Sequence, residues 1–257
     1  MSDPALGYAS LAIVLIAGGS WLRRMRQVRL PADATAYLAA CGAAALLGIA
    51  ALVSGPGLVA GLAAGLAVVG GLAFLALYAA SGQRQGGARV AVGSPLIDFT
   101  AQDDEGRPFA LSELRGRPVL LKFFRGHWCP YCVAELVRWR ELAPELEAHG
   151  VAVVTVCADA PEEIRRARVK HGLQATMLSD PALAVTDLYG LRNPRNFAPR
   201  PGVIIPLPIP TTVLAGADGI VLWIDQATDY MRRSDPDAVR AALRLLREDR
   251  SRQSQAG

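Results

Sequence analysis

Charge is missing where a soluble protein would carry it. No acidic or basic side chain lies between Asp33 and Arg84, and charged residues make up only 19% of the 257, against about 25% in an ordinary globular domain. From Arg84 onward acids and bases return at ordinary density. The chain is therefore neither wholly soluble nor wholly embedded in a membrane. Cysteine is scarce too: the four residues are too few and too unevenly spaced for a disulfide-stapled secreted scaffold. No second C-x-x-C and no H-x-x-x-H accompanies Cys129 and Cys132. Only Cys157 and the single residues His127, His149 and His171 remain to complete a zinc site, so no metal is expected. The net charge of +4 and pI near 9.1 come almost entirely from arginine. Those arginines alternate with Asp and Glu and leave no purely basic helical face, so nucleic acid is not an expected partner.

What is present is a run of three apolar stretches, at 5–22, 34–53 and 58–80. Each approaches or exceeds the length a helix needs to cross hydrocarbon, and residues 1–82 read as a membrane anchor. Ser54-Gly55-Pro56-Gly57 is a turn joining the second and third stretches. Gly57, Gly61 and Gly65 have the small-residue spacing that lets helix backbones approach closely in lipid. Asp3 precedes the first stretch and its basic cluster follows it, the reverse of a signal peptide, so that stretch is read as a retained span. Arg23, Arg24, Arg26 and Arg29 separate the first two stretches, and Arg84 and Arg89 follow the third. The positive-inside rule then puts the N-terminus outside and the C-terminal domain in the cytoplasm, in a multi-pass protein of the inner (plasma) membrane. A single Cys41 and no intramembrane ionisable residue leave neither a dithiol relay nor a proton path.

Residues 83–91 read as a linker, 92–248 as one compact α/β domain and 249–257 as a flexible tail. Val119–Phe124 and Val151–Cys157 have the length and apolarity of buried strands. Helices are expected behind Cys129, over Pro161–Gly172, around Ala182–Tyr189 and over Asp235–Leu245. Thr212–Leu214 and Ile220–Ile224 flank a Gly216–Gly219 turn as a hairpin. A further hairpin is expected around Asp104-Glu105-Gly106. The order βαβα, hairpin, α makes a mixed sheet covered by helices on both sides.

The chemistry concentrates in Phe123-Phe124-Arg125-Gly126-His127-Trp128-Cys129-Pro130-Tyr131-Cys132. A strand-to-helix turn puts Cys129 where backbone N–H groups and the helix dipole favour a thiolate. Cys132, one turn further on, is placed to attack a mixed disulfide or a sulfenic acid on Cys129. Val92 to Thr100, Gly106 through Gly116-Arg-Pro-Val-Leu, and Trp128-Cys129-Pro130 resemble the alkyl hydroperoxide reductase / thiol-specific antioxidant (redoxin) family. This family is the peroxiredoxin-like branch of the thioredoxin fold. The similarity continues through Val154–Pro161, Leu178–Ala182 and Tyr189-Gly190, covering about 92–247 and none of the apolar part.

The resemblance implies a thioredoxin-like fold, a peroxidatic or disulfide-attacking role for Cys129, and a cis-proline at Pro210 facing the dithiol. It implies a peroxide or protein-disulfide substrate, a thioredoxin- or glutaredoxin-type reductant, and no cofactor. The chain departs from typical peroxiredoxins at Lys122 and Gly126, where they carry Pro and Thr or Ser, and it lacks their Arg beside Thr211–Leu214. Arg125 stands either as a charge near bound peroxide or as a surface arginine. His127 helps hold the thiolate and donate a proton, or is simply packed. Trp128 and Tyr131 form a substrate rim or pack, and Cys157 is a further resolving thiol or a small core residue. Peroxide reduction is the leading function; disulfide reduction and redox sensing are the alternatives.

Overall fold

The computed structural model describes residues 4–31, 33–83, 87–197, 204–229 and 231–256. Asp3 and Arg84, both used in the charge argument above, lie outside that set. The chain divides into two compact units, Met1–Gly82 and Gln83–Gly257.

The first unit is three helices: α1 (Pro4–Arg26), α2 (Thr35–Val53) and α3 (Leu58–Ala79). All three are long and apolar enough to cross a membrane. Their mutual contacts are made by small residues, because a Cβ at Gly71 would sit 2.5 Å from the Cys41 carbonyl oxygen and one at Gly48 would sit 2.8 Å from that of Ala64. The spaced glycines Gly57 and Gly65 instead face open space, so the close approaches fall elsewhere than the Gly57/Gly61/Gly65 spacing predicts. Trp21 closes the bundle edge-on against Tyr37 at 4.7 Å and Phe74 at 5.5 Å. Leu15, Ile16, Leu46, Leu62 and Leu66 point outward.

The second unit is a thioredoxin-like α/β domain. Its seven-stranded sheet runs β2-β1-β5-β4-β3-β8-β9. The strands are β1 (Thr100–Asp103), β2 (Pro108–Ala110), β3 (Val119–Phe123), β4 (Ala152–Cys157), β5 (Thr176–Ser179), β8 (Thr211–Ala215) and β9 (Val221–Gln226). β3, β4 and β5 are mutually parallel, while β8 is antiparallel to β3. Parallel neighbours need crossovers, and α4 (Pro130–Arg138), α5 (Ala143–Ala148) and α6 (Pro161–His171) provide them. α6 begins with Pro161 at its first turn, and Glu163 accepts the Ala160 N–H at 3.2 Å, which caps the helix. β3 is buried at all five positions, the pattern of a strand covered on both faces. Leu121, Phe123, Val154, Val156, Leu178, Tyr189 and Val213 form the core on one side of it.

Three elements differ from expectation. β5 has only four residues, too few for a periodicity to register. Between Gly190 and Thr211, where no element is expected from the sequence, lies a separate hairpin of β6 (Arg192–Phe197) and β7 (Ile204–Pro208), whose polar, proline-bearing Arg-Asn-Pro-Arg-Asn-Phe has little strand propensity. The last helix, α8 (Pro236–Ala256), continues eleven residues past Leu245 into the stretch expected as a tail. Its apolar stripe ends at Leu246, and the Arg, Glu and Gln that follow are strong helix formers without a stripe. The short helix α7 (Ala184–Leu188) is started by Asp180, which accepts the Val185 and Thr186 N–H groups at 3.2 and 2.8 Å.

Candidate active site

β3 and β4 are parallel and in register, so the segments after Phe123 and Cys157 leave the same end of the sheet. β8 begins at that end, Thr211 lying opposite Phe123 on one side and Gln226 on the other. Four chain segments therefore meet there: Phe124–Cys129, Cys157–Asp159, the approach to Thr211 and the stretch that follows Gln226.

Cys129 is the N-cap of α4 and Pro130 its first helical residue. Cys132 follows one turn on, and both thiols are reduced and buried, Cys129 at 1% and Cys132 at 0% exposure. Facing them is a residue 104 positions from Cys129 and 101 from Cys132. Arg233 Nη2 donates to Cys132 Sγ at 3.1 Å and to Cys129 Sγ at 3.6 Å. Arg233 is 4% exposed, and beneath it Glu135 Oε2 stands 3.7 Å from its Nε. Lys122 Nζ donates to Glu135 Oε1 at 2.7 Å and to Thr212 Oγ1 at 3.0 Å, while the Ser234 N–H also donates to Glu135 Oε1 at 3.1 Å. The site floor is thus a buried chain of alternating charge, Lys122⁺–Glu135⁻–Arg233⁺, ending on sulfur. Burial of this many charges is tolerable only because each is paired.

The two thiols titrate in opposite directions. Burial raises Cys129, but a hydrogen bond with the Cys132 thiol and the positive charges of Arg233 and Arg125 outweigh it and bring Cys129 down to about 5. Burial and the neighbouring Cys129 push Cys132 well above the ordinary thiol range. Such a pair holds one thiolate nucleophile and one reserve proton.

Tyr131 is buried, with the Arg233 guanidinium 5.9 Å from its ring centroid. Arg125 is 5% exposed, not a surface arginine, with its guanidinium 4.9 Å from the Trp128 ring centroid. Trp128 is half-buried against it. His127 does not point its Nδ1 at the dithiol: Nδ1 lies 3.0 Å from Asp159 Oδ2 and 3.9 Å from Cys157 Sγ. Asp159 also accepts the His127 backbone N–H. Cys157 is 1% exposed, and burial together with the Asp159 charge raises its thiol well above the ordinary range. Pro210 is buried at the start of β8 and accepts the Ala227 N–H at 2.8 Å. The expected cis bond is not found there, since all described peptide bonds are trans; the chain runs directly into the β8–β9 ladder, and trans is the lower-energy form of an X–Pro bond.

Sequence reasoning missed Arg233, Glu135 and Asp159. A signal existed for Glu135: Lys122 is a lone charge inside a wholly apolar strand and demanded a buried partner. Glu135, three residues after Cys132 on the same helical face, was the available carboxylate. Nothing local marks Arg233, which lies in an aperiodic stretch between β9 and α8. The departures from the family pattern also acquire reasons. Lys122 is held by Glu135, and Gly126 has no room for Thr: with φ +150, a Cβ there would sit 2.6 Å from Asp159 Oδ1 and 2.5 Å from Trp128 Nε1.

Residues 92–224 match the AhpC/TSA family. The chain belongs to that family. Among curated relatives, the thiol-disulfide oxidoreductase ResA of Geobacillus thermodenitrificans is 32% identical over 140 residues, 54% of this chain and 71% of its own. ResA of Halalkalibacterium halodurans is 31% identical over 133 residues, 51% of this chain and 66% of its own. Peroxiredoxin Q of Sedum lineare is 32% identical over 104 residues, 40% of this chain and 56% of its own. The chain thus spans between about half and two thirds of the length of these last two relatives. Among solved structures, peroxidoxin BcpB from Mycobacterium tuberculosis superimposes with a TM-score of 0.51 at 24% identity, over 62% of this chain and 98% of that one. A peroxiredoxin-like protein from Aquifex aeolicus gives 0.53 at 16% identity, over 61% and 88%. At such identities these matches speak for the fold of the AhpC/TSA domain alone.

Proposed function

We propose that this chain is a membrane-anchored thiol peroxidase in which Cys129 attacks and Cys132 resolves. The observation that carries the reading is the placement of Cys129 Sγ, 1% exposed and within 3.6 Å of the Arg233 guanidinium. A buried sulfur admits a small peroxide more readily than a protein disulfide, and two nearby guanidinium groups stabilise the negative charge that moves from sulfur to the departing oxygen. The Cys129 thiolate attacks the near oxygen of ROOH, the O–O bond breaks, and RO⁻ takes a proton and leaves as ROH. Cys129 is now a sulfenic acid. The Cys132 thiol condenses with it, releasing water and forming the Cys129–Cys132 disulfide. A dithiol protein of thioredoxin or glutaredoxin type returns two electrons and two protons. In this reading Arg125, Trp128 and Pro210 assist substrate binding, and His127 positions the loop through Asp159.

A second reading, reduction of protein disulfides, is favoured by the asymmetry of the pair, with a low Cys129 and a high Cys132, and by relatives named thiol-disulfide oxidoreductase. One experiment separates the two. The fully reduced chain in detergent is mixed with one equivalent of hydrogen peroxide and the mass of the Cys129 peptide is followed. A peroxidase gains one oxygen on Cys129 in the Cys132→Ser variant far faster than a free thiol does, and no longer reacts as Cys129→Ser. A rate no greater than that of a free thiol, with Cys132→Ser trapped as a mixed disulfide when a disulfide-bonded protein is added in place of peroxide, establishes the disulfide reductase instead.

Membrane attachment through α1–α3, with the dithiol domain in the cytoplasm, is supported by the arginines at 23, 24, 26 and 29 and the uncharged Ser54–Gly57 turn. Protease digestion of the dithiol domain in inverted but not right-side-out vesicles is the expected result.

A further inference from the structure

We propose that His127, Cys157 and Asp159 form a binding site for one zinc ion, separate from the Cys129/Cys132 dithiol. The three residues come from two segments, the loop after β3 and the end of β4, and their ligand atoms all lie within 4.8 Å of one another. Nδ1 of His127 is 3.0 Å from Asp159 Oδ2 and 3.9 Å from Cys157 Sγ. Tetrahedral zinc with bonds of about 2.0–2.1 Å to nitrogen and 2.3 Å to sulfur sets those two ligands roughly 3.5 Å apart. Adjustments of a few tenths of an ångström suffice for the two His127 distances, and the Cys157–Asp159 separation, within 4.8 Å, closes by at most about an ångström.

The chemistry of the donors selects the ion. One imidazole, one thiolate and one carboxylate suit a borderline divalent cation and disfavour magnesium or calcium, which take oxygen ligands. Charge balances as well. Neutral His127, ionised Asp159 and a Cys157 thiolate carry two negative charges, and a divalent ion neutralises them in a place where unpaired charge is costly. Binding would expel the Cys157 proton to solvent and form the Zn–S bond in its place.

The surroundings already resemble a metal site's supporting shell. Ser179 Oγ donates to the Asp159 carbonyl at 2.8 Å, and the His127 N–H fixes the Asp159 carboxylate. The ring of His127 is turned by what Nδ1 meets: Nε2 is buried with no hydrogen-bond partner among the described residues. Three protein ligands leave the fourth position for water, and the ion would tie the Gly126–Cys129 loop to the end of β4. The proposal does not depend on which substrate the dithiol reduces.

Cobalt reports on such a site through its visible and thiolate charge-transfer bands. The probe is Co²⁺ added to the reduced full chain in detergent carrying Cys129→Ser and Cys132→Ser, so that the dithiol cannot bind. The expected result is one equivalent bound, a thiolate-to-cobalt band, and its displacement by Zn²⁺. Adding Cys157→Ser should abolish the charge-transfer band, and Asp159→Asn or His127→Gln, which keep the thiol, should weaken cobalt binding about tenfold or more. Zn²⁺ at a fixed concentration should also raise the unfolding temperature of the double-serine chain by more than that of any of those further variants. Absence of the band in the double-serine chain, or a band unchanged by all three further substitutions, would overturn the assignment.

Discussion

Replacing Arg233 with Met removes the positive charge that touches both sulfurs while keeping much of the side chain's volume. At 3.6 Å from Cys129 Sγ, a full unit charge is worth about 4.6 kcal/mol at an effective dielectric of about 20. The guanidinium spreads its charge, so about half of that, roughly 2.3 kcal/mol, is the working figure. At 1.36 kcal/mol per tenfold change this lifts the thiol from about 5 to about 6.7. The thiolate share at pH 6 then falls from about nine-tenths to about one-sixth. The assay is the rate of Cys129 alkylation by iodoacetamide between pH 4 and 9, read by peptide mass. Arg233→Met should react about fivefold more slowly at pH 6 and nearly normally at pH 9, with its inflection displaced upward. An inflection still near 5 would refute the account of how this thiolate is held. The same lowered value has a consequence for stability. Ionised Cys129 favours the folded state, and that contribution is lost as pH falls from the ordinary thiol value of 9.0 towards about 5. The Arg233→Met chain should therefore lose less stability over that interval than the unsubstituted chain.

Other substitutions test the supporting structure. Glu135→Gln leaves Lys122 buried without its ion-pair partner, both side chains being at most 1% exposed, and should destabilise the dithiol domain by about 3–5 kcal/mol in urea unfolding. Gly126→Ala forces a Cβ against Asp159 and Trp128 at a positive φ; a loss of about 1–3 kcal/mol is expected, with slower Cys129 oxidation. Tyr189→Phe removes the hydrogen bond that the Tyr189 hydroxyl donates to the Ile97 carbonyl at 2.6 Å. It should cost about 1 kcal/mol in thermal unfolding and leave Cys129 reactivity unchanged, because Tyr189 lies in the core and not at the dithiol.

What could be read along the chain depended on interactions within a turn or two of helix or strand. The uncharged stretch from Ala34 to Gln83, the apolar strands Val119–Phe124 and Val151–Cys157 and the proline after Cys129 are such features, and they led to the apolar helices, the mixed α/β sheet and the candidate cysteine pair, while the thioredoxin-like fold came with the family resemblance. Elements with weak local preference were not legible: β5 is four residues long, the β6–β7 hairpin lacks alternation, and the end of α8 has no apolar stripe. The composition of the site needed tertiary structure for a different reason. Lys122 and Glu135 form an ion pair only because α4 packs on β3, and Arg233 reaches the sulfurs only because β9 returns the chain to the end where β3 and β4 stop. His127, Cys157 and Asp159 converge because parallel strands in register finish side by side. Each of those contacts joins residues whose separation in sequence carries no signal, and burial in a low-dielectric interior is what turns their proximity into chemistry.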